Sequence, residues 1–112
     1  MQIAFLSSPY RSPTINGVAE NVASARAAAV KLWSLGYGVF CPALNSAFMD
    51  GVVDDQRFMD FAIVVMPFCR LVVFNGDWQN SDGCWKEHLV AHSIPGMKIY
   101  SMDDVPPAKE PV

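Results

Sequence analysis

Positive charge is scarce in this chain. Eight of its 112 residues are Lys or Arg, against eleven Asp and Glu, and the net charge is −3. The basic residues are scattered, so nothing can neutralise a run of phosphates, and a nucleic-acid polymer is excluded as partner. A mononucleotide needs far less, since amides, hydroxyls and one arginine hold a single phosphate. Cysteine is sparse as well. Cys41, Cys69 and Cys84 are odd in number and show no CxxC spacing. They read as reduced thiols, two of them in the core, of a cytoplasmic protein. No apolar run approaches membrane-spanning length, and Met1–Leu6 has neither a basic region nor the length of a signal peptide; no membrane is expected. A metal reading of His88 and His92, four residues apart, lacks support. Leu89 stands where the zincin pattern needs glutamate, and no third ligand is near, so neither metal nor cofactor is expected.

What is present is apolar: 52% of the residues, in short runs, enough for one domain with a real core. Ile3–Leu6 reads as a buried strand, followed by the turn Ser7-Ser8-Pro9-Tyr10-Arg11-Ser12-Pro13. A helix is predicted from about Val18 to Leu35, its inner face made by Val18, Val22, Ala25, Ala29 and Leu32. Gly38–Cys41 is a second strand, stopped by Pro42. A long loop follows from Ala43 to Asp54, and Asp54 or Asp55 caps a helix reaching about Met66 with Phe58, Phe61, Ala62 and Val65 inside. Leu71–Phe74 is a third strand, Ser81 or Asp82 caps a further helix, and Lys98–Tyr100 is a fourth strand. Asp103–Val112 carries three prolines and little to bury, so an extended or disordered tail is expected. The domain therefore spans 1–101, with a Pro-rich tail over 102–112.

Alternation of strands and helices implies an α/β fold with a parallel sheet of four to five strands and helices on both faces, a small Rossmann-like three-layer sandwich. Ligands bind such sheets at the carboxyl ends of the strands. That edge gathers Ser7–Arg11, Ala43–Asp50 and Asn75–Glu87. Glu87 stands out within it. A capping-box glutamate lies three residues after the cap, where this chain has Cys84, so capping does not explain it. Its place in the second turn, near helix amides, is expected to favour the ionised form.

With these segments in place, the chain resembles the nucleoside 2-deoxyribosyltransferase-like superfamily, including its small phage and bacterial members and the deoxynucleoside 5′-monophosphate N-glycosidases. The resemblance runs to about Ser101. It is carried by Leu6-Ser7-Ser8-Pro9-Tyr10-Arg11, by Asn21, Ala25, Leu32-Trp33 and Gly36, by Phe40-Cys41-Pro42 with Asn45, by Phe48-Met49-Asp50-Gly51, and by Ser81, Gly83 and Glu87. It implies that Glu87 is a nucleophile attacking the anomeric carbon of a (deoxy)ribosyl group, with a covalent glycosyl ester resolved by water or by a second base. It also implies a homodimer or larger assembly. Ser81 stands where the transferase branch carries aspartate and where the hydrolase branch uses serine on a 5′-phosphate, which points to a phosphorylated substrate. The second acid expected before the third strand is replaced by Ala62, with Asp60 two residues away, and Arg70 stands where small relatives have aspartate.

The expected site therefore comprises Glu87 as nucleophile and Asp60 as proton donor, or as a solvated helix residue. Ser8, Pro9, Tyr10 and Arg11 hold ribose or phosphate, or form an ordinary turn. Asp50 contacts sugar or base, or caps its loop. Asn45, Ser81 and Gly83 complete the site. Trp78 and Trp85 stack on a base, or pack the core or an oligomer interface. The expected activity is cleavage or transfer at the N-glycosidic bond of a (deoxy)nucleoside or its 5′-monophosphate. The alternatives are a non-catalytic nucleotide-binding module and a phage interaction protein on the same fold.

Overall fold

Leu71–Phe74 is apolar at every position and buried at every position, as a strand covered on both faces must be. In the computed structural model, which describes residues 1–109, it is the central strand β3. It pairs with β1 (Ile3–Ser7) on one side and β4 (Lys98–Ser101) on the other, and β2 (Gly38–Phe40) closes the far edge of β1. The order is β2-β1-β3-β4, all parallel. Helix α1 (Ile15–Ser34) links β1 to β2; α2 (Pro42–Asn45) and α3 (Asp55–Val65) lead to β3; α4 (Asp82–Ser93) leads to β4. The expected three-layer α/β architecture is therefore present.

Strand alternation sorts the core into two halves. Ala4, Leu6, Leu71 and Val73 face Ala25, Ala28, Ala29 and Leu32 of α1. Small side chains let that helix lie close on the sheet. Phe5, Val72 and Phe74 face the other way, onto Ala62 and Met66 from the α3 side and Ala91 of α4. Helices α1, α3 and α4 each begin on a side-chain cap: Thr14, Asp54 and Ser81 accept from the amides of Gly17, Gln56 and Cys84.

Three expectations change. The loop after β2 opens with a helical turn, because Pro42 occupies a first-turn position where its missing N–H costs nothing. Phe61 is not on the inner face of α3 but is about half exposed. The tail, expected to have little to bury, is extended but docked. Val105 and Ala108 pack against the α1-side core. The Tyr37 hydroxyl donates to the Pro106 carbonyl at 2.7 Å, the Ala108 amide to Leu35 O at 2.8 Å, and the Lys109 amide to Gln2 Oε1 at 3.1 Å. The expectation for residues 110–112 lies outside the described residues.

Candidate active site

Strand order reverses between β1 and β3, since β1 leads outward to β2 and the later strands add on the opposite side. Two loops part at such a point and leave a crevice. Here the crevice is a cleft of about 710 Å³ above the carboxyl ends of the strands. Its walls come from the turn after β1, the segment after β2, helix α3 and the start of α4.

Glu87 lies in this cleft and is only 5% exposed. Its Oε1 accepts a hydrogen bond of 2.6 Å from the hydroxyl of Ser7, the last residue of β1. Burial pushes the Glu87 carboxyl up to about 7, against the opposing pull of that hydroxyl. The expectation that helix amides would hold it ionised is thus overridden by desolvation. Cys84, one turn earlier and also buried, lies beside the Ser7 and Ser81 hydroxyls, yet burial still raises its thiol above the ordinary value. Cys41 is pushed to about 12 for the same reason. Neither is poised as a thiolate.

The turn after β1 is fixed by side-chain bonds. Asn21 Nδ2 donates to the carbonyls of Tyr10 (3.0 Å) and Arg11 (3.2 Å). Asn75 Nδ2, just past β3, donates to Ser8 Oγ and Ser24 Oγ, each at 3.1 Å. Tyr10 and Arg11 reach across to the segment after β2. The Tyr10 hydroxyl donates to Asp50 and accepts from the Phe48 amide at 2.8 Å. Arg11 bridges Asp50 (3.4 Å) and Asp55 (2.6 Å). The Tyr10 hydroxyl, aided by Arg11, holds the Asp50 carboxyl below its usual value, so Asp50 is a charged acceptor rather than a proton donor. Ser81 Oγ is engaged as the α4 cap, accepting from the Cys84 amide at 3.3 Å. Five carboxylates line the cleft (Asp50, Asp55, Asp77, Asp82, Glu87) against two cations, Arg11 and Lys86.

The structure thus brings Ser8, Pro9, Tyr10, Arg11, Asp50, Ser81, Gly83 and Glu87 to one cleft. Asp60, Asn45 and Trp78 do not line it. Asp60 is exposed and accepts at 2.8 Å from Nε2 of Gln56, a residue of the cleft wall. Ala62, at the position of the second acid, does line the cleft and brings no proton. Arg70 is at the opposite end of the sheet, its amide bonded to Ile3 O. Asn45 borders a smaller hollow against Trp33 of α1 and Val39 of β2. Trp78 is stacked on Trp85 and His88, with centroids 5.8 and 4.7 Å away. His88 and His92 face each other with Nε2 atoms 3.1 Å apart, and among the described residues no group of three or more His, Cys, Asp or Glu could hold a metal ion. Sequence reasoning placed Ser7 and Asn75 on the carboxyl edge of the sheet without giving either a role, and missed Ser24. The signal for Ser7 was a hydroxyl ending an otherwise apolar strand.

Among the described residues no helix is long and apolar enough to cross a membrane. No curated protein matches the chain. A family model described as "Domain of unknown function (DUF4406)" matches residues 8–101. That span takes in the turn after β1, the segment after β2 and the α4 turn bearing Glu87, and the chain belongs to this DUF4406 family.

Proposed function

We propose that this protein cleaves or transfers the N-glycosidic bond of a nucleoside, with Glu87 as nucleophile. The single observation that supports the reading is a buried carboxylate with one hydroxyl partner, opening into a cleft at the switch point of the sheet. A Glu87 oxygen would attack the anomeric carbon as the bond to the base nitrogen breaks. The electron pair leaves with the base, which takes up a proton from solvent entering the open cleft, and the sugar is held as an ester. Water or a second base would then displace the carboxylate. Arg11 is already engaged by Asp50 and Asp55, so a 5′-phosphate would have to draw it away from both. The unphosphorylated deoxynucleoside is therefore the first substrate to test, and its 5′-monophosphate the second.

The test is release of free base from deoxynucleosides and their monophosphates, followed by chromatography. Wild-type protein should release base, and Glu87→Gln should lower the rate by at least ~10³-fold. Release should rise with pH through about 7, as the buried carboxyl ionises. A rate unchanged in Glu87→Gln would sink the mechanism. A non-catalytic nucleotide-binding module is the second reading, favoured by Ala62 in the cleft and by Asp60 outside it. Nucleotide binding that survives Glu87→Gln, without base release from wild type, would select it.

Assembly into a homodimer belongs to the same proposal. Helices α3 and α4 and the turn after α3 leave Phe61, Val64, Phe68, Trp85 and Leu89 exposed, the apolar side chains that a second copy would cover. Light scattering should report a dimer, and Phe68→Glu with Val64→Glu should reduce it to monomer.

A further inference from the structure

We infer that Ser7 is the positioning residue of the cleft: its hydroxyl holds one oxygen of Glu87 and leaves the other turned to the ligand. The inference rests on Glu87 as the reactive group and adds a residue to it. Ser7 cannot touch a ligand itself, because it is fully buried and does not line the cleft. Its place is fixed from two sides. Its backbone pairs in register with Phe74, and its carbonyl accepts from the Asn75 amide at 3.0 Å. From that rigid point Oγ donates to Glu87 Oε1 at 2.6 Å. Cys84, 2% exposed, lies beside the same hydroxyl.

The other oxygen, Oε2, has no hydrogen-bond donor among the described residues. It is not sealed in either, since the only buried side-chain polar atom lacking a partner there is His88 Nδ1. Oε2 therefore opens to the cleft. A carboxylate held at one oxygen and free at the other presents a single, oriented oxygen to an incoming carbon, and proximity of that kind is worth large factors in rate. The donated proton also favours the charged form that burial opposes.

The experiment reads the Glu87 carboxyl directly. With ¹³C-labelled glutamate, its titration midpoint is followed by NMR in wild type, Ser7→Ala and Ser7→Thr. Ser7→Ala should move the midpoint upward, and Ser7→Thr, which restores the hydroxyl, should return it toward wild type. In the base-release assay Ser7→Ala should lower kcat about 10–100-fold with KM little changed, the factor expected for one hydrogen bond to a charged group. The acid limb of the pH profile should shift upward with the midpoint. Should Ser7→Ala fail to fold, Ser7→Cys keeps the volume with a weak donor and must show the same upward shift. An unchanged midpoint in the folded variant overturns the inference, whether or not base is released. A shifted midpoint in a protein that releases no base overturns the enzymatic reading and leaves the role of Ser7 in place.

Discussion

At the scale of single residues, Glu87 is held at a cost to the fold. An ordinary glutamate titrates near 4.5, and here burial raises it to about 7. A raised acid binds its proton more tightly in the folded state, so stability is greatest below about 4.5 and is lost as pH rises through about 7. Glu87→Gln removes the ionisation and keeps the shape. Its melting temperature should match wild type near pH 4.5 and exceed it at pH 8, by a stabilisation on the order of 3 kcal/mol. Calorimetry at the two pH values checks this, and equal stability at pH 8 would contradict the buried charge. Glu87 was legible in the sequence because capping did not explain a carboxylate there and the family resemblance pointed to that position. Ser7 was not, because a hydroxyl at the end of an apolar run looks like the start of a turn. Asp60 illustrates a different failure. Proximity in sequence to Ala62 suggested proximity in space, but two residues along a helix turn the side chain by roughly 200°. Ala62 is buried against the cleft, whereas Asp60 is exposed and meets the cleft wall only through Gln56.

At the scale of elements, caps and cross-links decide where the cleft walls stand. Ser81 both begins α4 and borders the cleft. Ser81→Ala should cost about 1 kcal/mol and lower the melting temperature by roughly 4 °C or more. The segment after β2 packs on the core through Ala43 and Leu44, and beyond them it is tied to the turn after β1 by Tyr10 and Arg11; Phe48 there adopts a positive φ of 60° while largely exposed. Tyr10→Phe removes the acceptor of the Phe48 amide. Hydrogen exchange at that amide should accelerate about tenfold, while the amides of β1 and β3 keep their protection. Most elements were legible, because apolar runs of four or five residues and an alanine-rich helical face leave few alternatives. Helix α2 was not. Pro42 reads as a stop for β2, and the same residue starts a helix equally well. The ties of Tyr10 and Arg11 to Asp50 were also hidden, since they join residues some forty positions apart.

At the scale of the molecule, helices cover the α3–α4 side of the sheet, while the α1 side is completed by the docked tail. Its prolines suggested an idle segment. A proline lacks only the donor, however, and the carbonyl of Pro106 serves as acceptor for Tyr37. Truncation after Asp104 removes three hydrogen bonds among the described residues and strips Val105 and Ala108 from the α1-side core. It should cost on the order of 3 kcal/mol, measured as a lower denaturant midpoint. The strand order has a consequence during synthesis. Strand β1 can pair with β2 as soon as Phe40 has emerged, but its other edge waits for Leu71, about 30 residues later. At ordinary translation speed that interval lasts roughly 2–6 s. Through it the nascent chain carries an open, apolar strand edge, the kind of surface on which unfinished chains aggregate.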